Sequence, residues 1–227
     1  EGNEYTAFGT AIHTVCEKTI PSISESPLEI FHQAFEGELQ ILRSNGSTLN
    51  EELVSDMRNQ ATPICEQVLP SVKKHFGKFE VVSVEEQLLE PIEEFDSYGT
   101  KFKGFIDMVI RTPDDKYHII DWKTCSWGWS RDKKSDPMTT YQLTYYKNYF
   151  SKKHNIDPNK IETYFVLLKR TAKKDNVEVL RVTSGKKKTD NSLKVLQNAV
   201  INIEKGVRLK NRLNCRYCKF YKTEHCQ

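Results

Sequence analysis

Phe102-Lys-Gly-Phe-Ile-Asp-Met-Val-Ile-Arg111, Thr112-Pro-Asp-Asp-Lys116 and Tyr117-His-Ile-Ile-Asp-Trp-Lys123 run on from one another, and their reading decides the fold. Alternation in the outer segments has the two-residue period of a β-strand. The central segment supplies a turn, because proline presets φ and aspartate bonds its own backbone. The stretch therefore predicts a hairpin. Asp107 and Asp121 interrupt its apolar strands. A buried carboxylate without a partner is costly, so each asks for a cation. Lys123 follows Asp121 by two residues and so shares its face. That face can hold a divalent metal between the two aspartates, with an ammonium beside it. Oxygen ligands suit Mg²⁺ or Mn²⁺. Such an ion polarises a phosphoryl oxygen and acidifies bound water, and a lysine can orient that water or offset developing charge. Taken alone, the same residues also make a hairpin held by structural salt bridges.

The rest of the chain bears on that choice. Its 227 residues are 37% hydrophobic and 11% aromatic, enough for a real core. Helices are expected over 4–20 and 26–43. A third is opened by a Thr48/Glu51 capping box and runs to about Phe76, with Pro63 and Pro70 giving a break and a kink. Strands are expected over Phe79–Ile92, Ile161–Leu168 and Val177–Val182, and helices over Met138–His154 and Thr189–Glu204. This order predicts an α/β fold with a mixed central sheet.

Gly104-Phe-Ile-Asp107 followed by Ile119-Ile-Asp-Trp-Lys123 resembles the D…(D/E)-x-K signature of the PD-(D/E)XK nuclease superfamily. Gly9-Thr-Ala-Ile-His13 upstream, Gln142-Leu-Thr-Tyr-Tyr146 downstream and a terminal cysteine cluster resemble its RecB-like and Cas4-like branch, in the same order and over nearly the whole chain. The resemblance implies one domain with a restriction-endonuclease-like core: a helical part over 1–77, a catalytic sheet core over 78–184, and a C-terminal helix with a Cys-rich end over 185–227. It implies His13, Asp107 and Asp121 as ligands of Mg²⁺ or Mn²⁺, with the Trp122 carbonyl as a further ligand. Lys123 would assist the attacking water, and Gln142 and Tyr146 would bind DNA. The family often carries a helping glutamate on the preceding strand. Glu86 is the match in V-E-E-Q-L; Glu85 and Glu86 point to opposite faces, so only one can serve. The implied activity is a divalent-metal-dependent DNA exonuclease acting on single strands or DNA ends in recombination, repair or replication. A Cas4-like adaptation endonuclease and a non-catalytic nucleic-acid-binding module are the alternatives.

Net charge is only +3, from 34 basic and 31 acidic residues, so distribution says more. Basic clusters at Arg131–Lys134, Lys169–Lys174 and Lys186–Lys188 can neutralise phosphates or be solvated loops. The Thr124–Pro137 loop gathers Trp127, Trp129, Arg131 and Lys133. Rings among cations suit a single strand, or the rings plug the loop; Thr124 can reach a phosphate. Cys215, Cys218 and Cys226 can hold a soft metal. The resemblance implies a [4Fe–4S] cluster; no cysteine stands between Glu1 and Gly9, so its fourth ligand is missing or lies upstream of Glu1, and Zn²⁺ shared with His225 competes. No secretory signal and no membrane-length apolar run is seen. The expectation is a cytoplasmic, intracellular protein away from membranes. No helicase P-loop is found, so a helicase or recombination partner would be another chain.

Overall fold

The computed structural model describes residues 2–22, 25–92, 99–207, 215 and 218–226. Helices α1 (Glu4–Thr19), α2 (Pro27–Ser44) and α3 (Glu51–Phe76) come first. Strands β1 (Glu80–Pro91), β2 (Lys101–Arg111) and β3 (Tyr117–Cys125) follow. Short α4 (Arg131–Ser135) and long α5 (Pro137–His154) lead to β4 (Ile161–Lys169), β5 (Val177–Val182) and α6 (Lys186–Glu204). The five strands lie in chain order in one sheet. All neighbours are antiparallel except β3 and β4, which are parallel. Parallel neighbours need a crossover of a dozen or more residues, and α4 and α5 occupy it. The result is the expected α/β fold with a mixed sheet. Two compact units are distinguished, Glu1–Thr189 and Asp190–Gln227. The first holds the sheet and its helices. The second holds most of α6 and the segment with Cys215, Cys218 and Cys226. Among the described residues no helix is long and apolar enough to cross a membrane.

One face of the sheet is covered by α1, α2 and α3. Phe8, Ile12 and Val15 of α1, Phe31 and Phe35 of α2, and Met57, Ile64 and Val68 of α3 share a core with Met108, Ile110, Ile120, Trp122, Val166 and Leu168 of the sheet. Burying each large apolar side chain contributes about 1.5–3 kcal/mol. This stripe explains why α3 is one unbroken helix through Pro63 and Pro70, against expectation. An interior proline costs about 3 kcal/mol, and the buried row from Val54 to Val72 offsets it. The α3 cap is Asn50, accepting from the Leu53 N–H at 3.0 Å, rather than Thr48.

Two further departures affect the site. The segment after β3 is not all loop, since Ser130 caps α4 within it. In β1 the register slips between Val81 and Ser83. Val82 is therefore 43% exposed while Leu88 is fully buried, although simple alternation puts them on one face.

Candidate active site

Strands β2 and β3 pair only where Met108–Arg111 faces Tyr117–Ile120. Beyond Met108 and Ile120 they part, β2 continuing with β1 and β3 with β4. Asp107 and Asp121 are the next residues, so the two carboxylates face each other at the opening of a fork. Parting strands leave backbone groups that still need partners. The Trp122 N–H donates to Asp107 Oδ2 at 2.7 Å. Asp121 is 1% exposed. Its Oδ1 accepts from Gln142 Nε2 at 2.9 Å. Lys123 Nζ pairs with the buried Oδ2 at 2.6 Å.

Burial raises both carboxyls above the usual range. For Asp121 the charge of Asp107 adds to burial, and Lys123 opposes. His13, on α1, places Nδ1 3.7 Å from Asp107 Oδ2. Burial lowers its pKa, and the charge of Asp121 pulls it back up. A neutral imidazole with a free lone pair is a competent ligand. These donors, mostly hard oxygens around a buried carboxylate, fit Mg²⁺ or Mn²⁺. Among the described residues, however, no three His, Cys, Asp or Glu side chains are drawn into a formed metal cage.

Glu86 is not part of this group. Its side chain, 8% exposed, sits on Lys153 at 2.9 Å and against His154 at the end of α5. Burial alone would raise its pKa, but hydrogen bonds from Ser83, Lys153 and His154 hold it down. Glu85 is the nearer of the two to Asp107. Val84 pairs with Met108 and Glu86 with Ile106, so Glu85 stands opposite Asp107. Its charge acts on both Asp107 and His13. Its φ of 50° is left-handed, a conformation that costs a non-glycine residue energy. Glu17 also belongs here. Burial, followed by the charge and hydrogen bond of Glu85, raises its carboxyl to about 7. Its place four residues after His13, on the same helix face, was a signal available in the sequence.

A family model, that of the PD-(D/E)XK nuclease superfamily, matches residues 1–223. The chain belongs to this superfamily. No curated protein sequence matches it. A crystal structure from Eubacterium rectale, of a protein provisionally named an exonuclease, superposes with a TM-score of 0.57 at 12% identity, covering 96% of this chain and 73% of that one. SSO0001 aligns at 17% identity over 95% of this chain and 81% of its own, with a TM-score of 0.39. The first likeness bears on fold alone. Membership of a nuclease superfamily supports hydrolysis of nucleic acid, in a family that generally uses divalent metals such as Mg²⁺ or Mn²⁺.

In this PD-(D/E)XK superfamily member, Gln142 and Tyr146 do lie beside Asp121, Tyr146 buried and Gln142 half-buried. Gln142 Nε2 also donates to the Tyr146 hydroxyl at 3.1 Å, and Tyr146 is only 7% exposed. The glycine that packing demands is Gly104, where a Cβ would lie 2.9 Å from Tyr146 Cε1. At Gly9 a Cβ would make an ordinary 3.4 Å contact with Thr124 Oγ1. The two tryptophans part company. Trp129 packs edge-on to Phe165 at 5.0 Å, under Lys133 Nζ at 4.8 Å. Trp127 is 72% exposed, and Arg131 and Lys133 are exposed near it in sequence. Cys215, Cys218 and Cys226 are free thiols. They form no three-ligand group among the described residues, so neither the [4Fe–4S] nor the Zn²⁺ expectation gains support.

Proposed function

We propose that the protein is a divalent-metal-dependent DNA exonuclease that hydrolyses phosphodiester bonds at single-stranded or free ends. The observation that carries this is the pair Asp107 and Asp121, buried at the fork, with Lys123 Nζ 2.6 Å from Asp121. Asp107, Asp121 and His13 would hold the ion, and Glu85 would be the glutamate beside it. When bound, Mg²⁺ or Mn²⁺ supplies Lewis acidity toward a phosphoryl oxygen and a more acidic water. The Lys123 ammonium donates to the attacking water and offsets charge building on the phosphoryl oxygens. The water oxygen bonds to phosphorus as the opposite P–O bond breaks. The leaving sugar oxygen gains a proton, and the water gives one up.

Trp127 supports the single-strand preference, because an exposed ring stacks on any base. Thr124, Arg131 and Lys133 would contact phosphates, with Trp129 bracing the loop from beneath. The exonuclease reading follows the RecB-like resemblance of the Gly9–His13 and Gln142–Tyr146 motifs. End-labelled single- and double-stranded DNA, linear and circular, tests the reading in Mg²⁺, Mn²⁺ or EDTA, beside Lys123→Ala. Metal-dependent loss of linear DNA, absent in the variant and sparing circles, is expected. Cut circles would make it an endonuclease. Binding without hydrolysis in any metal would reduce it to a binding module.

A further inference from the structure

The ladder between β2 and β3 ends at Met108 and Ile120. No backbone bond between these strands therefore fixes the separation of Asp107 from Asp121. Side chains span the gap twice. The first link is the Trp122 N–H on Asp107. The second starts on β2, where the Tyr146 ring packs against Gly104. It continues through Gln142 Nε2 to Asp121 Oδ1 on β3. An amide nitrogen has two N–H groups, and Gln142 uses one on Tyr146 and one on Asp121. Tyr146 is seated over Gly104, where any β-carbon would strike its ring. The phenol is buried, and both N–H groups of the half-buried amide are already engaged.

We propose that Gln142 and Tyr146 are positioning residues for Asp121 rather than contacts for DNA. Tyr146, fixed on β2, sets the amide of Gln142. That amide sets the rotamer of the Asp121 carboxylate across the fork. The four-residue spacing on α5 serves this relay, since it stacks the two side chains on one helix face. Carboxylates that act together must be held to about 0.5 Å, and the relay supplies that constraint where the sheet does not. The inference rests on the nuclease reading above, through the role given there to Asp121.

Tyr146→Phe, Gln142→Leu and Gln142→Asn are compared with the intact chain in three measurements. These are kcat and KM on a labelled single-stranded oligonucleotide in Mg²⁺, Kd for that oligonucleotide in EDTA by fluorescence anisotropy, and Mn²⁺ affinity without DNA by calorimetry. Supporting side chains of this kind are worth about tenfold to a hundredfold. The expected result is such a loss in kcat and in Mn²⁺ affinity, with KM and oligonucleotide Kd within about twofold. A double variant no worse than its worse single would mark one relay. Weakened oligonucleotide Kd with kcat and Mn²⁺ affinity unchanged would overturn the inference and restore the strand-holding role, leaving the nuclease reading intact. No change in any measurement would overturn it too. An intact chain that cuts nothing would end the nuclease reading, and the Mn²⁺ series would still decide whether the relay holds Asp121. Tyr146→Phe keeps the ring over Gly104, so it carries the test if a Gln142 variant fails to fold.

Discussion

The β2–β3 hairpin carries Asp114 and Asp115 at its turn and Asp107 and Asp121 at its fork. At the turn, Lys116 lies 3.1 Å from Asp114, and Arg111 and Lys160 both meet Asp115. Hydrogen bonds from Thr112 and Lys116 lower the pKa of Asp114, and those from Lys160 and Arg111 lower that of Asp115. At the fork, burial raises both aspartates although Lys123 stands 2.6 Å away. Both ends have cations, so the presence of a countercharge is not what separates them. Water is. Solvent screens the turn pairs and makes them nearly neutral for stability. The fork has lost that solvent, and one ammonium does not replace it.

The largest expected effect tests this directly. Asp121→Asn lowers the cleavage rate by about 10³-fold, whereas Asp115→Asn leaves it unchanged. A comparable loss at Asp115, in the same end-labelled assay, would break the distinction. Next is the pair of glutamates on β1. Glu85→Gln lowers the rate by about tenfold to a hundredfold. Glu86→Gln instead lowers the melting temperature by loosening Lys153 and His154, at a cost of about 1–3 kcal/mol. The reverse pattern would return Glu86 to the site.

Smaller, and opposite in sign to most substitutions, is the effect of Asp107→Asn without metal. An amide keeps an acceptor for the Trp122 N–H and removes a buried charge. Calorimetry in EDTA should show a gain on the order of 2 kcal/mol, or about 4–8 °C, while cleavage is lost. The smallest is a pH slope. The folded-state values of Asp107 and Asp121 are raised to about 6 from 3.8. Their share of stability is therefore whole below the ordinary carboxylate range and is lost as pH rises through about 6. His13, lowered from 6.5, has the opposite sign, losing its share as pH falls. The metal-free urea midpoint of the native chain should thus fall relative to that of Asp107→Asn between about pH 4 and pH 6. Saturating Mg²⁺ should flatten that difference, and its persistence with the ion bound would argue against an ion at these carboxylates.

The strands and the placing of Asp107, Asp121 and Lys123 were readable because a two-residue period is local, and a charge that breaks it stands out. That Glu86 turns to Lys153 and His154 was not legible, because a register slip at Val81–Ser83 and a left-handed φ at Glu85 are consequences of pairing with β2. Composition along β1 carries neither. The break expected in α3 failed for a similar reason, since a local proline penalty was outweighed by a core assembled from three helices and the sheet. Glu17 needed only the His13 spacing extended by one more turn. The contacts of Gln142 with Asp121 and of Tyr146 with Gly104 could not be seen, because a four-residue spacing fixes which residues share a face but not what that face meets.

Trp122 sits between Asp121 and Lys123 with its indole fully buried in the helical layer and its main-chain N–H on Asp107. The two aspartates and the hydrophobic interior are in this sense one inheritance. A substitution that reseats the indole reaches the aspartates at once, while one at the exposed Trp127 leaves them untouched.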